Sequence, residues 1–178
     1  MKKFLRWIKR LFASKPVSSH TASRYLRALM DMPSRPVWID KAIEYYGIKE
    51  IHGSNDHPDI VYFHKNVVGR DWHDEVPWCA SFVGSVLKDS GCKFMKSARA
   101  RSYEKYGRKA KYPQLGDIIV FWRGSLGSGK GHVGFFIKEQ NGKVLVLGGN
   151  QRNMVCFSWY GKSRLRGYYR PLKLKGDK

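Results

Sequence analysis

The sequence predicts an α+β fold, with N-terminal helices packed on an antiparallel sheet of five to six strands and a cysteine opening one of the helices. Three observations carry that expectation. Apolar residues recur at helical spacing up to about residue 106 and in short β-rich runs after it. The strand-like runs follow one another with turns between them and no intervening helices, which excludes an alternating, doubly wound sheet. Finally, 178 residues with 42% apolar content and 6 Trp, 10 Tyr and 9 Phe suffice for one core. No apolar run approaches the roughly 18 residues of a membrane-spanning helix.

The elements follow in order. Val37–Tyr46 has helical spacing, with Pro36 near its start and Gly47 at its end. Pro58–Val67 reads as a second helix, with Asp56 as a possible cap and Asp59 in its first turn. Residues 78–90 form a third through Phe82, Val83, Val86 and Leu87, stopped by Gly91. Ser97–Tyr106 is a fourth, capped by Ser97 and closed by Gly107. Then come five strands: Asp117–Trp122, His132–Lys138, Lys143–Leu147, Met154–Trp159 and Gly167–Arg170. Asn141-Gly142 is a hairpin signal, and Asp117 is expected to begin a strand and tie a turn.

The chain divides near residue 36. Residues 1–36 hold nine Lys/Arg against the single acid Asp31, and the folded domain is expected over 37–178. Near the start, Lys2, Lys3, Arg6, Lys9 and Arg10 alternate with Phe4, Leu5, Trp7, Ile8, Leu11 and Phe12. This is the pattern of a short amphipathic helix lying on an anionic surface. Lys9 and Arg10 interrupt the apolar stretch, which fits a secretory signal poorly. Residues 13–24 read as a linker, and Tyr25–Met30 as a short helical piece.

The whole chain carries a formal charge of +20 and a pI near 10.1. Such a surplus selects a polyanionic partner: nucleic acid, anionic lipid, lipopolysaccharide or cell-wall polymer. It does not choose among them.

Cysteine placement is more specific. Cys79, Cys92 and Cys156 form no C-x-x-C pair and no disulfide framework. Cys92 and Cys156 read as small buried hydrophobes. Cys79 opens a helix, where the macrodipole and unpaired N–H groups favour a thiolate. His132 begins a strand after the glycine-rich loop 124–131, with Gly134 leaving the next inward position open. Asn150 lies just past Gly148 and Gly149. A thiol on a helix, an imidazole on a strand and an amide after the next strand suit a Cys–His pair oriented by a third group.

Pro77-Trp78-Cys79-Ala80-Ser81-Phe82, Gly116–Phe121, Gly131-His132-Val133-Gly134 and Gly148-Gly149-Asn150 resemble the papain-like cell-wall hydrolases of the CHAP (cysteine, histidine-dependent amidohydrolase/peptidase) and NlpC types. The likeness is closest to a small CHAP-like group of bacteria and phages. Its motifs appear here as Asp74–Ala80, Ala100–Ser102, Asp117–Arg123, Gly131–Phe135 and Leu147–Gln151, covering roughly 37–172. The resemblance implies a papain-like fold, with Cys79 as nucleophile, His132 as base and then acid, and Asn150 as the orienting third member. It also implies a thiolate–imidazolium pair.

The implied activity is cleavage of a peptidoglycan amide in or at the stem peptide, as a muramoyl-alanine amidase or an endopeptidase, by a lysin or antibacterial effector. Trp78, Asp74 and Glu75 are candidate substrate contacts. Lys2, Lys3, Arg6, Trp7, Lys9 and Arg10 are candidate contacts to membrane or lipopolysaccharide. No cofactor is expected. Neither H-E-x-x-H nor tight His spacing points to a metal, and Asn55–Asp59 reads as a helix start rather than a Ca²⁺ loop. The expected protein is a monomer that binds no nucleic acid, is made in the cytoplasm and acts on the wall after release or delivery. The alternative is a non-catalytic nucleic-acid- or membrane-binding protein with a hydrolase-like shell.

Overall fold

A computed structural model describes residues 15–174, with the backbone alone for Lys15 and Pro16. The amphipathic stretch Lys2–Phe12 lies outside the described residues.

After the short first strand come four α-helices: α1 (Ser19–Met30), α2 (Val37–Glu44), α3 (Pro58–Val68) and α4 (Cys79–Asp89). The strands are β1 (Lys15–Pro16), β2 (Arg108–Ala110), β3 (Ile118–Trp122), β4 (Gly131–Gln140), β5 (Lys143–Gly148), β6 (Cys156–Gly161) and β7 (Leu165–Arg170). They form one antiparallel sheet in the order β1-β6-β5-β4-β3-β7-β2. The five predicted strands are its centre, and two short strands extend its edges. Asn141 (φ 51°) and Gly142 (φ 67°) make the β4–β5 turn, as a primed hairpin turn requires.

Strand alternation sorts the core into two faces. Ile118, Val120, Val133, Phe135, Leu145, Leu147 and Phe157 face the helices in the larger cluster. Ile119, Phe121, Phe136, Val144, Val146 and Tyr168 form a smaller cluster on the other face. Helix α4 lies at the centre of the first layer, with every residue from Cys79 to Leu87 buried. At Gly84 a Cβ would stand 2.8 Å from Val67 and 2.9 Å from the Tyr103 hydroxyl, so glycine permits α3 and η1 (Ala100–Lys105, 3-10) to close on α4.

Several local expectations change. The cap of α3 is His57, which accepts from the Asp59 N–H; Asp56 instead accepts from the Asp74 N–H at 2.8 Å. The fourth predicted helix is a short 3-10 segment, Ala100–Lys105, preceded by a local turn in which Ser97 accepts from the Arg99 N–H. Asp117 does tie a turn, accepting from the Gln114 N–H at 2.8 Å, and its carboxylate receives both arms of Arg170 at 3.0 Å.

The boundary at residue 36 also moves. Residues 19–24, expected as linker, form the first half of α1 under a Ser18 cap. Ala22 and Leu29 enter the main core, and Tyr25 packs edge-on against Phe157 and Trp159. Arg35 then donates to the Leu29 and Met30 carbonyls and pairs with Asp40, fastening α1 to α2. The apolar spacing of α1 is diluted by Ser, His and Arg on its outer side, which is why it reads as linker. Leu29 is 5% exposed. Leu29→Ala should therefore lower stability by about 2–3 kcal/mol, the usual cost of emptying a core leucine site. Denaturant unfolding measures it, and a change near zero would return α1 to the status of a tail.

Candidate active site

Cys79 is the first residue of α4. Pro77 precedes the helix, Trp78 occupies the cap position, and the first helical hydrogen bond runs from the Phe82 N–H to the Trp78 carbonyl at 2.8 Å. The N–H groups of Cys79 and Ala80 are thus free of helical partners and lie at the thiol. The helix start abuts β4, whose Val133 N–H also faces the sulfur. Burial pushes the Cys79 thiol up; Arg123 and those three N–H groups act the other way.

His132 precedes Val133 and projects to the opposite face of β4. There it stacks on Tyr160 (centroids 5.3 Å, 22°), which itself stacks on Phe121. The ring is 1% exposed. Its Nε2 lies 3.2 Å from Oε1 of Gln151. The Gln151 amide nitrogen donates to the carbonyls of Val146 and Cys156, so Oε1 is left as an acceptor. The proton on His132 must then reside on Nε2, and Nδ1 is the basic nitrogen. Nδ1 is buried and makes no hydrogen bond to any described residue, Cys79 included.

The third member expected from sequence was Asn150, but the structure puts Gln151 on the imidazole. Strand β5 ends at Gly148, and Asn150 adopts φ 53°, reversing the chain so that the next side chain folds back beneath the strand. Gly149 allows this: a Cβ there would stand 2.4 Å from the Trp78 ring and 2.7 Å from Phe82. Arg152 and Asn153 are also left-handed, and the turn closes through Gln151 N–H to Met154 O at 2.9 Å. Gly134 differs from expectation as well. Val146 and the Leu147 carbonyl fill the space its side chain would take, so it packs tightly and opens no cleft.

The proposed substrate contacts separate. Trp78 is fully buried, with its indole N–H donating to Glu50 at 2.8 Å. Asp74 is 1% exposed and accepts from the N–H groups of Ile51 and His57, both at 2.9 Å. Both residues shape the framework and present no surface to a ligand. Glu75 is exposed and does not line the cleft at Cys79. At the Asn55–Asp59 segment, Asp56 is engaged by Asp74 and His73, and among the described residues no three His, Cys, Asp or Glu are grouped to hold a metal.

A cleft of about 670 Å³ opens at Cys79, lined by Pro77, Arg99, Arg123, Lys130 and Gly131 among others. Arg123 ends the stretch Asp117–Arg123 and Gln151 ends Leu147–Gln151. Sequence reading quoted both motifs without assigning either residue a role.

Residues 71–150 match the CHAP domain model. Over that segment the chain is similar to a CHAP domain, and its helices-then-antiparallel-sheet order is the α+β arrangement the sequence predicts. The matched segment runs from Asp71 through Cys79 and His132 to Asn150. A solved structure from Staphylococcus aureus subsp. aureus Mu50, described as similar to lipoprotein, NLP/P60 family, is 13% identical with a TM-score of 0.42. That match covers 93% of this chain and 45% of the other, so this chain spans less than half of that protein's length. No curated protein matches. No described helix is long and apolar enough to cross a membrane.

Burial and the Arg123 charge push the His132 imidazole from the ordinary 6.5 down to about 3, against the Gln151 hydrogen bond. Burial thus pushes both the Cys79 thiol and the His132 imidazole toward their neutral forms, the direction opposite to a thiolate–imidazolium pair. The sign for stability follows from linkage. A histidine whose folded pKa is depressed contributes stability in full above pH 6.5, and that share is lost as pH falls toward 3. Unfolding free energy should decline through this window, and His132→Asn should flatten the decline, with His64, also pushed down by burial, accounting for the remainder. An equal decline in wild type and variant would mean the imidazole is charged at rest.

Proposed function

We propose that the chain is a peptidoglycan hydrolase that cleaves an amide bond in or at the stem peptide, with Cys79 as nucleophile and His132 as base and then acid. One observation carries the reading: the Gln151 carboxamide, anchored by two backbone carbonyls, fixes His132 with Nδ1 free on the strand that abuts the helix-start thiol. Such a fixed tautomer is what a Cys–His pair requires, and a shell retained for binding alone has no use for it.

In the proposed cycle the Cys79 S–H proton passes to His132 Nδ1 as sulfur attacks the amide carbonyl carbon. Hydrogen bonds between such partners are often unmade in free enzymes and tighten in the substrate complex. The Cys79 backbone N–H at the helix start supports the oxyanion. The carbon–nitrogen bond breaks, the amine leaves with the proton from Nδ1, and a thioester remains. Water attacks the thioester, giving its proton to Nδ1, and the sulfur recovers a proton as the acid departs. Gln151 holds Nε2–H throughout without adding a charge that would fix the imidazolium.

Cys79→Ala should reduce release of soluble muropeptides from purified peptidoglycan by at least about 10³-fold, and Gln151→Ala by about 10²-fold, the scale for a lost nucleophile and a misoriented base. Mass spectrometry of the products reads the scissile bond. Lysis undiminished in Cys79→Ala would refute the reading. The basic residues Lys2–Arg10 are proposed to draw the enzyme to anionic envelope, in keeping with a lysin or antibacterial effector. Removing residues 2–12 should weaken envelope binding at low salt and change little at high salt, as counterion screening dictates; equal binding at low salt would remove the targeting role.

A further inference from the structure

We propose that the cleft at Cys79 selects substrates bearing a free carboxylate beside the scissile amide, held by Arg123 with Arg99 and Lys130 in support. The inference rests on the hydrolase reading and adds the chemistry of the flanking group.

Three segments line the cleft: the helix start at Pro77 and Cys79, the stretch 98–100, and the loop from Arg123 to Gly131. Together they contribute three cations and no acid. Elsewhere the arginines that shape the fold are neutralised: Arg35 by Asp40, Arg101 and Arg166 by Glu104, Arg170 by Asp117. Arg99, Arg123 and Lys130 have no such partner among the described residues. Acids are scarce in this chain, and none is spent on the cleft.

The loop bearing Arg123 and Lys130 is held in place. The Arg123 N–H donates to the Lys130 carbonyl at 2.9 Å, and Ser128 Oγ donates to the carbonyls of Arg123 and Ser125 at 2.6 and 2.8 Å. From outside, Arg101 donates to the Leu126 carbonyl at 2.7 Å while Glu104 holds its guanidinium. The backbone from which Arg123 and Lys130 project is therefore fixed beside Cys79, so their charges are confined to the cleft mouth, within reach of an anion bound there.

The charge of Arg123 also reaches both members of the reacting pair. It favours the thiolate and opposes the imidazolium. A carboxylate on Arg123 cancels part of that field just when His132 must take up the proton. The bound carboxylate thus acts on turnover as well as on binding.

The test compares a stem peptide carrying the free carboxylate with the same peptide amidated at that group. Wild type should favour the free acid by about tenfold or more in kcat/KM, the scale of one charge-assisted hydrogen bond, with part of the effect in kcat. In Arg123→Gln the ratio should fall close to one, and Arg123→Lys should restore part of it. Binding of both peptides to Cys79→Ala, with and without Arg123→Gln, is measured by calorimetry and needs no turnover. Should wild type hydrolyse neither peptide while Cys79→Ala still prefers the acid, the hydrolase reading fails and the carboxylate site stands. Equal kcat/KM and equal affinity for the two peptides, or a preference that survives Arg123→Gln, would overturn the proposal.

Discussion

The burial of α4 on every side is the constraint on which the rest depends. A helix with one wet face can slide or tilt at small cost, whereas a helix buried from Cys79 to Leu87 is positioned by every neighbour. Phe63 and Phe82 meet edge to face at 5.5 Å, Phe82 meets Phe135 of β4 at 6.3 Å, and Gly84 gives way to Val67 and Tyr103. The consequence is felt at the helix start. Cys79 cannot move relative to β4 without opening the largest cluster of the core, so the thiol and the strand bearing His132 are fixed by packing rather than by a bond between them.

A second positioning system works through hydrogen bonds. The segment Gly47–Glu50 links the two halves of the site. On one side the Gly47 N–H donates to the Val155 carbonyl and the Glu50 N–H to the Asn153 carbonyl, both at 2.9 Å, which holds the turn that aims Gln151. On the other, the Glu50 carboxylate accepts from the Trp78 indole, immediately before Cys79. Glu50 is itself pushed up by burial, against the hydrogen bond from Trp78. One short irregular stretch therefore ties the cap of α4 to the turn that orients the imidazole. The left-handed residues Asn150, Arg152 and Asn153 are tolerated because this segment braces them.

The layer order, the central strands and three of the four predicted helices were legible because their apolar residues keep one period over their whole length. Cys79 was legible as a helix start because Pro77 and Gly91 bracket the pattern. What escaped had a common physical cause: it depended on how the chain leaves a regular element. Asn150 and Gln151 are both amides after two glycines, and strand alternation favours the first. The second reaches His132 only because Asn150 turns left-handed, a conformation that periodicity cannot reveal. Trp78 and Asp74 flank the thiol in sequence, yet a helix start alternates between core and mouth, and both fall on the core side. Helix α1 was lost for a different reason. Its inward residues are few, and the ring that anchors it, Tyr25, finds its partners more than 130 positions along the chain.

The charge surplus acquires its meaning from where the acids are. With 14 acids for 34 bases, most cations have no carboxylate to meet, and exposed pairs contribute little stability in any case. The acids that do pair are used where geometry matters: Asp117 joins β3 to β7 through Arg170, and Glu104 holds the arginine that braces the loop 123–131. That leaves the mouth of the cleft lined by Arg99, Arg123 and Lys130 with no acid, around the buried Cys79. Burial pushes the Cys79 thiol and the His132 imidazole toward their neutral forms, which avoids the desolvation cost of a standing ion pair. Net charge draws the protein toward polyanions in general. The placement of a few unpaired cations beside Cys79, on a loop fixed by Ser128 and Arg101, is what would turn that attraction into the proposed preference for a carboxylate beside the scissile amide.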